Sequence, residues 1–353
     1  MEKSITRPRV LVILGAGSTL HANAPSTQDI DDLIFKMEDS TISSVVRLLK
    51  EQRTARHFNF EAVLAALEEL DEFSRRKKYP TNLANKGGYL AAFTDWMPDF
   101  TSSGDAPFTE LRLQLIGKIK NFVIERTHSS SPERLKSFFD NLRAYFDLTV
   151  VTLNYDDLID RSGEWYDGFV PAQHNHNGEF DYDGFPQRSM QESTVLLHLH
   201  GSVRFTFPPF SPVPSPKGEI VRSSSAKYGL PVTLHPSQGI EQPSPIIAGG
   251  GKDRWMTRAC VPFGYYYNAF INTAQLCSRV IVAGYGGGDE HVNSWLVEHS
   301  RLHGDRRRVV NINPIASEQP DACGHMTLRG NDGRFPPNDS DTVRKIIDFL
   351  NRT

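Results

Sequence analysis

The chain has 353 residues, of which 39% are hydrophobic and 23% charged, and its formal net charge is −3. That is ordinary for a soluble globular protein of one large or two smaller domains. The balance argues against a general nucleic-acid binder, which would be basic, so no direct nucleic-acid contact is expected. Cys260, Cys277 and Cys323 are widely separated, with no CxxC pair. A zinc ribbon is therefore not expected, and a reducing compartment is. The apolar run Val10 to Leu14 is too short for a signal segment or a membrane span, and no later run is long enough. A cytoplasmic protein with no membrane contact is expected.

In chain order, "RVLVILGAGS" reads as a buried parallel strand ending at a glycine turn. From about Gln28 to Phe146 the pattern turns helical. Residues 58 to 73 place apolar side chains at helical spacing, with Asn59 as N-cap. "FTELRLQLIGKIKNFVIERT" and "SPERLKSFFDNLRAYF" read as two further helices, the second opened by Ser131 and Pro132. "LTVVTL" (148–153) and "TVLLHL" (194–199) are strands. Residues 203–245, rich in Pro, Ser and Gly, read as an irregular excursion. "YYYNAFINTAQLCS" is a helix, "RVIVAGYGGGDEHVNSWL" a strand, glycine turn and helix, "RRVVNINP" the last core strand, and "SDTVRKIIDFLNRT" a closing helix.

Strands alternating with helices imply an α/β fold, a Rossmann-like parallel sheet covered on both faces. The expected organisation is a single domain over 1–353. Segments 8–29 and 147–353 form its core, and 30–146 is a large helical insertion. Ligands of such sheets bind at the carboxyl ends of the strands. Here those ends read GAGST, NYDD, HLHGS, GYGGGDEH and NINP, all rich in Gly, Asn, Asp or His.

Each motif has two readings. Gly15, Ala16, Gly17, Ser18 and Thr19 can bring backbone N–H groups to a phosphate, or make a tight turn. Leu20 stands where a dinucleotide fingerprint wants a third glycine. Asn154 and Asp156 can orient a water or a sugar hydroxyl, or cap the helix that follows. His198 and His200 fall on one face of a strand by alternation. His200, next to Gly201, suits proton transfer near neutral pH. As a metal pair the two lack a third ligand, and "HNHN" (174–177) reads as a solvated loop. Gly284 opens a glycine-rich turn against which a flat base or ribose can lie. Asp289 can cap the next helix or bind a hydroxyl, and Asn313 can meet a ribose or close its strand.

As an ordered set these residues resemble the sirtuins, and more closely the bacterial sirtuin-like NAD⁺ hydrolases of antiphage defence. The family pattern GAGxS, Asn-x-Asp and His-Gly is matched by Gly15 to Thr19, Asn154 to Asp156 and His200–Gly201, with Thr19 in place of the usual Ser. "GYGGGDEHVN" is similar to the GYxxxDxHIN element of the defence branch, and "NFEAVLAALE" to its helical insertion. The four-cysteine zinc ribbon of protein-deacylating sirtuins is missing, as is the Phe-Gly-Glu substrate strand.

The resemblance implies NAD⁺ as substrate, cleaved to nicotinamide and ADP-ribose. Asn154 would position water or a ribose hydroxyl, Asp156 would hold the carboxamide, and His200 would act as base or contact the ribose. Gly15, Ala16 and Ser18 would cradle the diphosphate; Gly284 and Asn313 would bind the adenosine half. Alternatives are an NAD-dependent protein deacylase, a catalytically silent nucleotide-sensing or scaffold subunit, and an oxidoreductase using Asp31 or Asp32 as ribose acid. The resemblance also implies restraint of the activity, by a homo-oligomer or a separate partner such as a HerA-type ATPase or a short Argonaute. A large fused sensor is not expected, since the chain ends soon after its last core strand.

Overall fold

A computed structural model of the chain describes residues 7–37, 40–51, 59–78, 107–171, 177–206, 220–226, 246–247, 252, 256, 261–313, 324–329, 334–337 and 339–352. The elements begin with β1 (Arg9–Leu14), α1 (Thr27–Phe35), α2 (Ser40–Glu51), α3 (Phe60–Lys78), α4 (Pro107–Thr127) and α5 (Glu133–Arg143). Next come β2 (Asp147–Thr152), β3 (Phe169–Pro171), β4 (Asn177–Phe180), α6 (Phe185–Gln191), β5 (Thr194–His198), β6 (Phe205–Thr206) and β7 (Val221–Ser223). Then follow α7 (Phe263–Leu276), β8 (Arg279–Ala283), α8 (Glu290–His303), β9 (Arg308–Ile312), β10 (His325–Leu328) and α9 (Ser340–Asn351).

Six strands form one parallel sheet in the order β10-β9-β8-β1-β2-β5. The expected Rossmann-like α/β sheet is present. Strand alternation splits β1 between two cores. Val10, Val12 and Leu14 pack with Phe138 and Phe139 of α5 and Ile346 and Leu350 of α9. Leu11 and Ile13 face the opposite cluster, with Phe263, Tyr266 and Phe270 of α7. Both faces are dry, which is why these strands read as continuous apolar runs.

The register decides where the chemistry sits. Leu14 pairs with both Thr152 and Ala283, Thr152 with His198, and Ala283 with Ile312. The strands therefore end level. The residues just beyond them, Gly15, Asn154, His200, Gly284 and Asn313, emerge along one sheet edge. The connections run outward in opposite directions from β1, so the crevice between β1 and β8 is the topological switch point where such sheets bind ligands.

Two features differ from the sequence reading. β9 is not the last strand of the sheet: β10 adds a further edge strand, and all four of its residues are half-buried. A four-residue run with no dry face carries little apolar signal. A second, antiparallel sheet, β3-β4-β7-β6, is built from strands of two to four residues, too short to show alternation. β6 and β7 lie within residues 203–245, and 207–219 and 227–245 fall outside the described residues.

The chain divides into two compact units, one of residues 1–26, 120–247 and 252–353, the other of 27–119 and 248–251. In the second, α1, α2 and α3 pack on one another around Ile34, Val63 and Leu67. Asn59 accepts from Ala62 N at 3.2 Å, so it caps α3. Asp31 Oδ1 accepts from Phe60 N at 2.5 Å, while the exposed Asp32 meets Lys36 at 3.6 Å. Both acids thus have local structural partners, which leaves the oxidoreductase alternative without a specific support. Among the described residues, no helix is long and apolar enough to cross a membrane.

Candidate functional site

The two glycine turns after β1 and β8 interlock. Gly15 N donates to Ala283 O at 3.0 Å and Gly17 N to Gly284 O at 2.9 Å. Ser18 N and Thr19 N donate to Gly15 O and Ala16 O. These N–H groups, expected to face a phosphate, are engaged within the turn, so the first task of the glycines is close backbone approach. A Cβ on Gly15 would lie 2.7 Å from Gly284 O. Gly284 has φ +60, and a Cβ there would fall inside the backbone of Gly17 and Ser18. Gly284→Ala is therefore expected to destabilise the fold by about 2–4 kcal/mol, from left-handed strain plus overpacking. Gly286→Ala, whose Cβ meets nothing within 4 Å, serves as the control in denaturant unfolding.

Beyond β2, a short chain of hydrogen bonds orients one amide. Thr19 Oγ1 donates to Asp156 Oδ2 at 2.9 Å. That places its only proton on the carboxylate. The same oxygen must then accept, and it does so from Asn154 Nδ2 at 3.0 Å. Asn154 Nδ2 also donates to Ser18 Oγ at 3.2 Å. The amide is thereby fixed with its oxygen on the other side. Asn154 Oδ1 is buried and has no hydrogen-bond partner among the described residues. Such a group costs free energy unless something else meets it.

Asp156 was expected to hold a carboxamide. Its Oδ1 accepts from Leu158 N at 3.1 Å and its Oδ2 from Thr19, so its visible work is to orient Thr19 and, through it, Asn154. Burial raises its pKa to about 6, and neighbouring Asp157 and Asp160 add to the rise.

The two strand histidines part company. His198 Nε2 lies 3.2 Å from Asp160 Oδ2, and Asp160 also pairs with Arg204 at 3.2 Å. His200 follows the end of β5, and its Nε2 lies 3.2 Å from His291 Nε2 and 3.5 Å from Asp289 Oδ1. β5 ends at His198, and the turn that follows it carries His200 to different partners. Burial, with the Lys252 ammonium next, pushes His200 well below the ordinary imidazole range. It is neutral at pH 7, so its approach to Asp289 is not an ion pair, and it retains a basic nitrogen. Gly201 has φ +95, and Ile247 N donates to His200 O at 3.0 Å, which holds this turn.

Asp289 stands at the N-cap of α8 but makes no side-chain cap bond. It binds Lys252 Nζ at 2.8 Å instead. The glycine-rich turn is shaped by Tyr285, whose hydroxyl meets Asp289 and Asn293, and by Asn293 Nδ2 donating to Gly287 O at 2.7 Å. Gly286, Gly287 and Gly288 border open space. Asn313 follows β9, with its N–H donated to Leu328 O at 3.3 Å. Lys252, Tyr285 and His291 were not singled out from the sequence. The Asp-x-His spacing of Asp289 and His291 was a readable signal; Lys252 follows a glycine run and had none. Residues 174–176 of the HNHN stretch, Cys260 and Cys323 lie outside the described residues. Cys277 is buried with Sγ directed at the Arg9 and Arg279 carbonyls.

A SIR2-like domain model matches residues 148–323. No curated protein matches the sequence. Among solved structures, a mutant Sir2 homologue in complex with 2'-O-acetyl ADP ribose has TM-score 0.50 at 14% identity, covering 98% of this chain and 95% of that one. A Sir2 homologue–NAD complex has TM-score 0.49 at 15% identity, covering 98% and 91%. The SIR2-like match is confined to residues 148–323, and the first of these structures shares the fold of this chain.

Proposed function

We propose that this chain hydrolyses NAD⁺ to nicotinamide and ADP-ribose. The observation that carries the reading is Asn154, a buried amide whose carbonyl oxygen is oriented by Ser18, Thr19 and Asp156 yet meets no donor among the described residues. An acceptor so placed can hold a water or a ribose hydroxyl by its O–H. The relatives in the structural comparison bind NAD and 2'-O-acetyl ADP ribose, which agrees in ligand class.

In the reaction the N-glycosidic bond breaks, nicotinamide leaves neutral, and positive charge develops on the ribose as in other glycosyl transfers. No strong general acid is needed. Water adds to the ribose carbon and gives up one proton, which a neutral His200 can accept. Asp156 keeps Asn154 oriented. The interlocked turns of Gly15, Ala16, Gly17, Ser18, Thr19 and Gly284 would line the diphosphate. Gly201, Asp289, Asn313 and the open glycines 286–288 would border the ribose and adenosine groups.

The test is to incubate the full chain with NAD⁺ and resolve the products by chromatography, beside His200→Ala. Nicotinamide and ADP-ribose, lost in the variant, are expected. Cyclic ADP-ribose would mean that a ribose hydroxyl outcompetes water. Nicotinamide release only with an acetyl-lysine peptide would make the chain a deacylase and overturn the hydrolase. NAD⁺ binding without turnover, with or without the peptide, would favour a sensing subunit.

We place this activity in antiphage defence, where depletion of NAD⁺ would be restrained until triggered. The helical segment 30–146 is our candidate for the assembly surface of a homo-oligomer or a separate ATPase or Argonaute-type partner. Native mass spectrometry should show an oligomer that deletion of this segment abolishes; a monomer before and after deletion would sink that part.

A further inference from the structure

Ligand atoms of two histidines and an aspartate converge beyond the end of β5. His200 Nε2 is 3.2 Å from His291 Nε2 and 3.5 Å from Asp289 Oδ1, and all three atoms lie within 4.8 Å of one another. Zinc bonds nitrogen and carboxylate oxygen at about 2.0–2.2 Å, so two ligands at the tetrahedral angle lie about 3.3 Å apart. Both pairs made by His200 already lie close to that spacing. We propose that His200, Asp289 and His291 form a site for a transition-metal dication, and that its occupation withdraws His200 from the reaction.

The surroundings fit a ligand set more than a packed pair of histidines. His200 also hydrogen-bonds the Leu153 backbone, the kind of contact that orients metal-binding imidazoles. Its Nε2 then faces both His291 Nε2 and the Asp289 carboxylate. A cation can draw these ligand atoms together. Lys252 supplies part of one, donating to Asp289 Oδ1 at 2.8 Å. A carboxylate has about four lone-pair positions, so the lysine does not fill it. The ammonium does repel a second cation, which makes the site a reversible one.

A contrast is available on α8. His299 and His303 are spaced like a helical metal pair, but their Nε2 atoms meet the carbonyls of Cys277 at 2.8 Å and Ala274 at 3.1 Å. Their lone pairs are not presented. With three protein ligands the His200 site would leave a fourth position for water. A metal on Nε2 occupies the lone pair that would accept a proton. This second half of the proposal rests on the reading of His200 as the base.

The experiment uses the full chain, freed of metal by a chelator. Zn²⁺ binding is measured by equilibrium dialysis and Co²⁺ binding by visible absorption. One equivalent is expected, lost in His291→Ala and in His291→Gln, which keeps the side-chain bulk. Nicotinamide release should fall at least tenfold with zinc in the parent and stay unchanged by zinc in both variants. No binding, or equal binding by both variants, overturns the site. Binding that depends on His291 with turnover unchanged, or turnover that requires the metal, overturns the inhibition but leaves the site. Because dialysis needs no NAD⁺, the site is judged even if the chain proves not to be a hydrolase.

Discussion

Replacing Asn154 by alanine is expected to lower nicotinamide release about a hundredfold or more, while the fold stays within about 1 kcal/mol of the parent. The two effects separate for a reason visible in the site. Alanine removes the donations to Ser18 and Thr19, which stabilise the fold modestly. It also removes a buried carbonyl oxygen that has no partner among the described residues, and that relieves a cost of the same order. Little net stability changes. The reacting water or hydroxyl, by contrast, loses the acceptor that orients it. Steady-state turnover and urea unfolding, run on the same preparation, check both halves. A variant that turns over NAD⁺ at the parent's rate would remove Asn154 from the mechanism. A variant that is merely unfolded would show it as structural.

The second expectation concerns Asp156 and pH. Its pKa is raised from 3.8 to about 6, chiefly by burial. The sign follows from linkage: a carboxyl held above its unfolded value favours the folded state most below about pH 4, and that contribution is lost as pH rises through about 6. Asp156→Asn does not titrate. Its stability relative to the parent should therefore shift in its own favour by about 2.4 kcal/mol between pH 4 and pH 8. Activity should move the other way. Only the carboxylate forces Thr19 to donate to it and so to accept from Asn154. The turnover of the parent should fall with an apparent pKa near 6, and Asp156→Asn should be poorly active without that acid limb. Thr19→Val, which breaks the link while keeping the carboxylate, should blunt the same limb. A parent profile flat from pH 5 to 8, or a limb that persists in both variants, would show that Asp156 does not orient Asn154.

The pair of expectations describes one trade. The ionised form of Asp156 that orients the amide is the form that burial disfavours. Functional sites commonly hold such strain, and surrounding packing supports it. Here the support is the dry sheet on either side, with Val150 and Val151 of β2 each fully buried against a different face.

Much of this architecture is local, and local patterns were legible. Short runs of apolar and β-branched residues mark β1, β2, β5, β8 and β9, and the residues that close them mark the sheet edge where ligands bind. Asn59 announced the start of α3 through its own capping chemistry. The elements that escaped, β10 and the four short strands of the second sheet, lack either the length or the dry face that creates a pattern.

The residue types at the site, glycine, amide, carboxylate and imidazole, were determined by the sequence alone, because strand ends are set by neighbouring residues. What each residue does was decided only by tertiary contact. Residues more than a hundred positions apart, Thr19 and Asn154, together fix which way an amide points. Gly284 must be glycine because the backbone of Gly17 and Ser18 lies against it. His198 and His200 look equivalent in the chain, yet one meets Asp160 and the other meets His291 and Asp289. The physical reason is the same each time: hydrogen-bond direction, steric approach and ligand convergence depend on distances between segments that the sheet register brings together, and those distances are not written in local order.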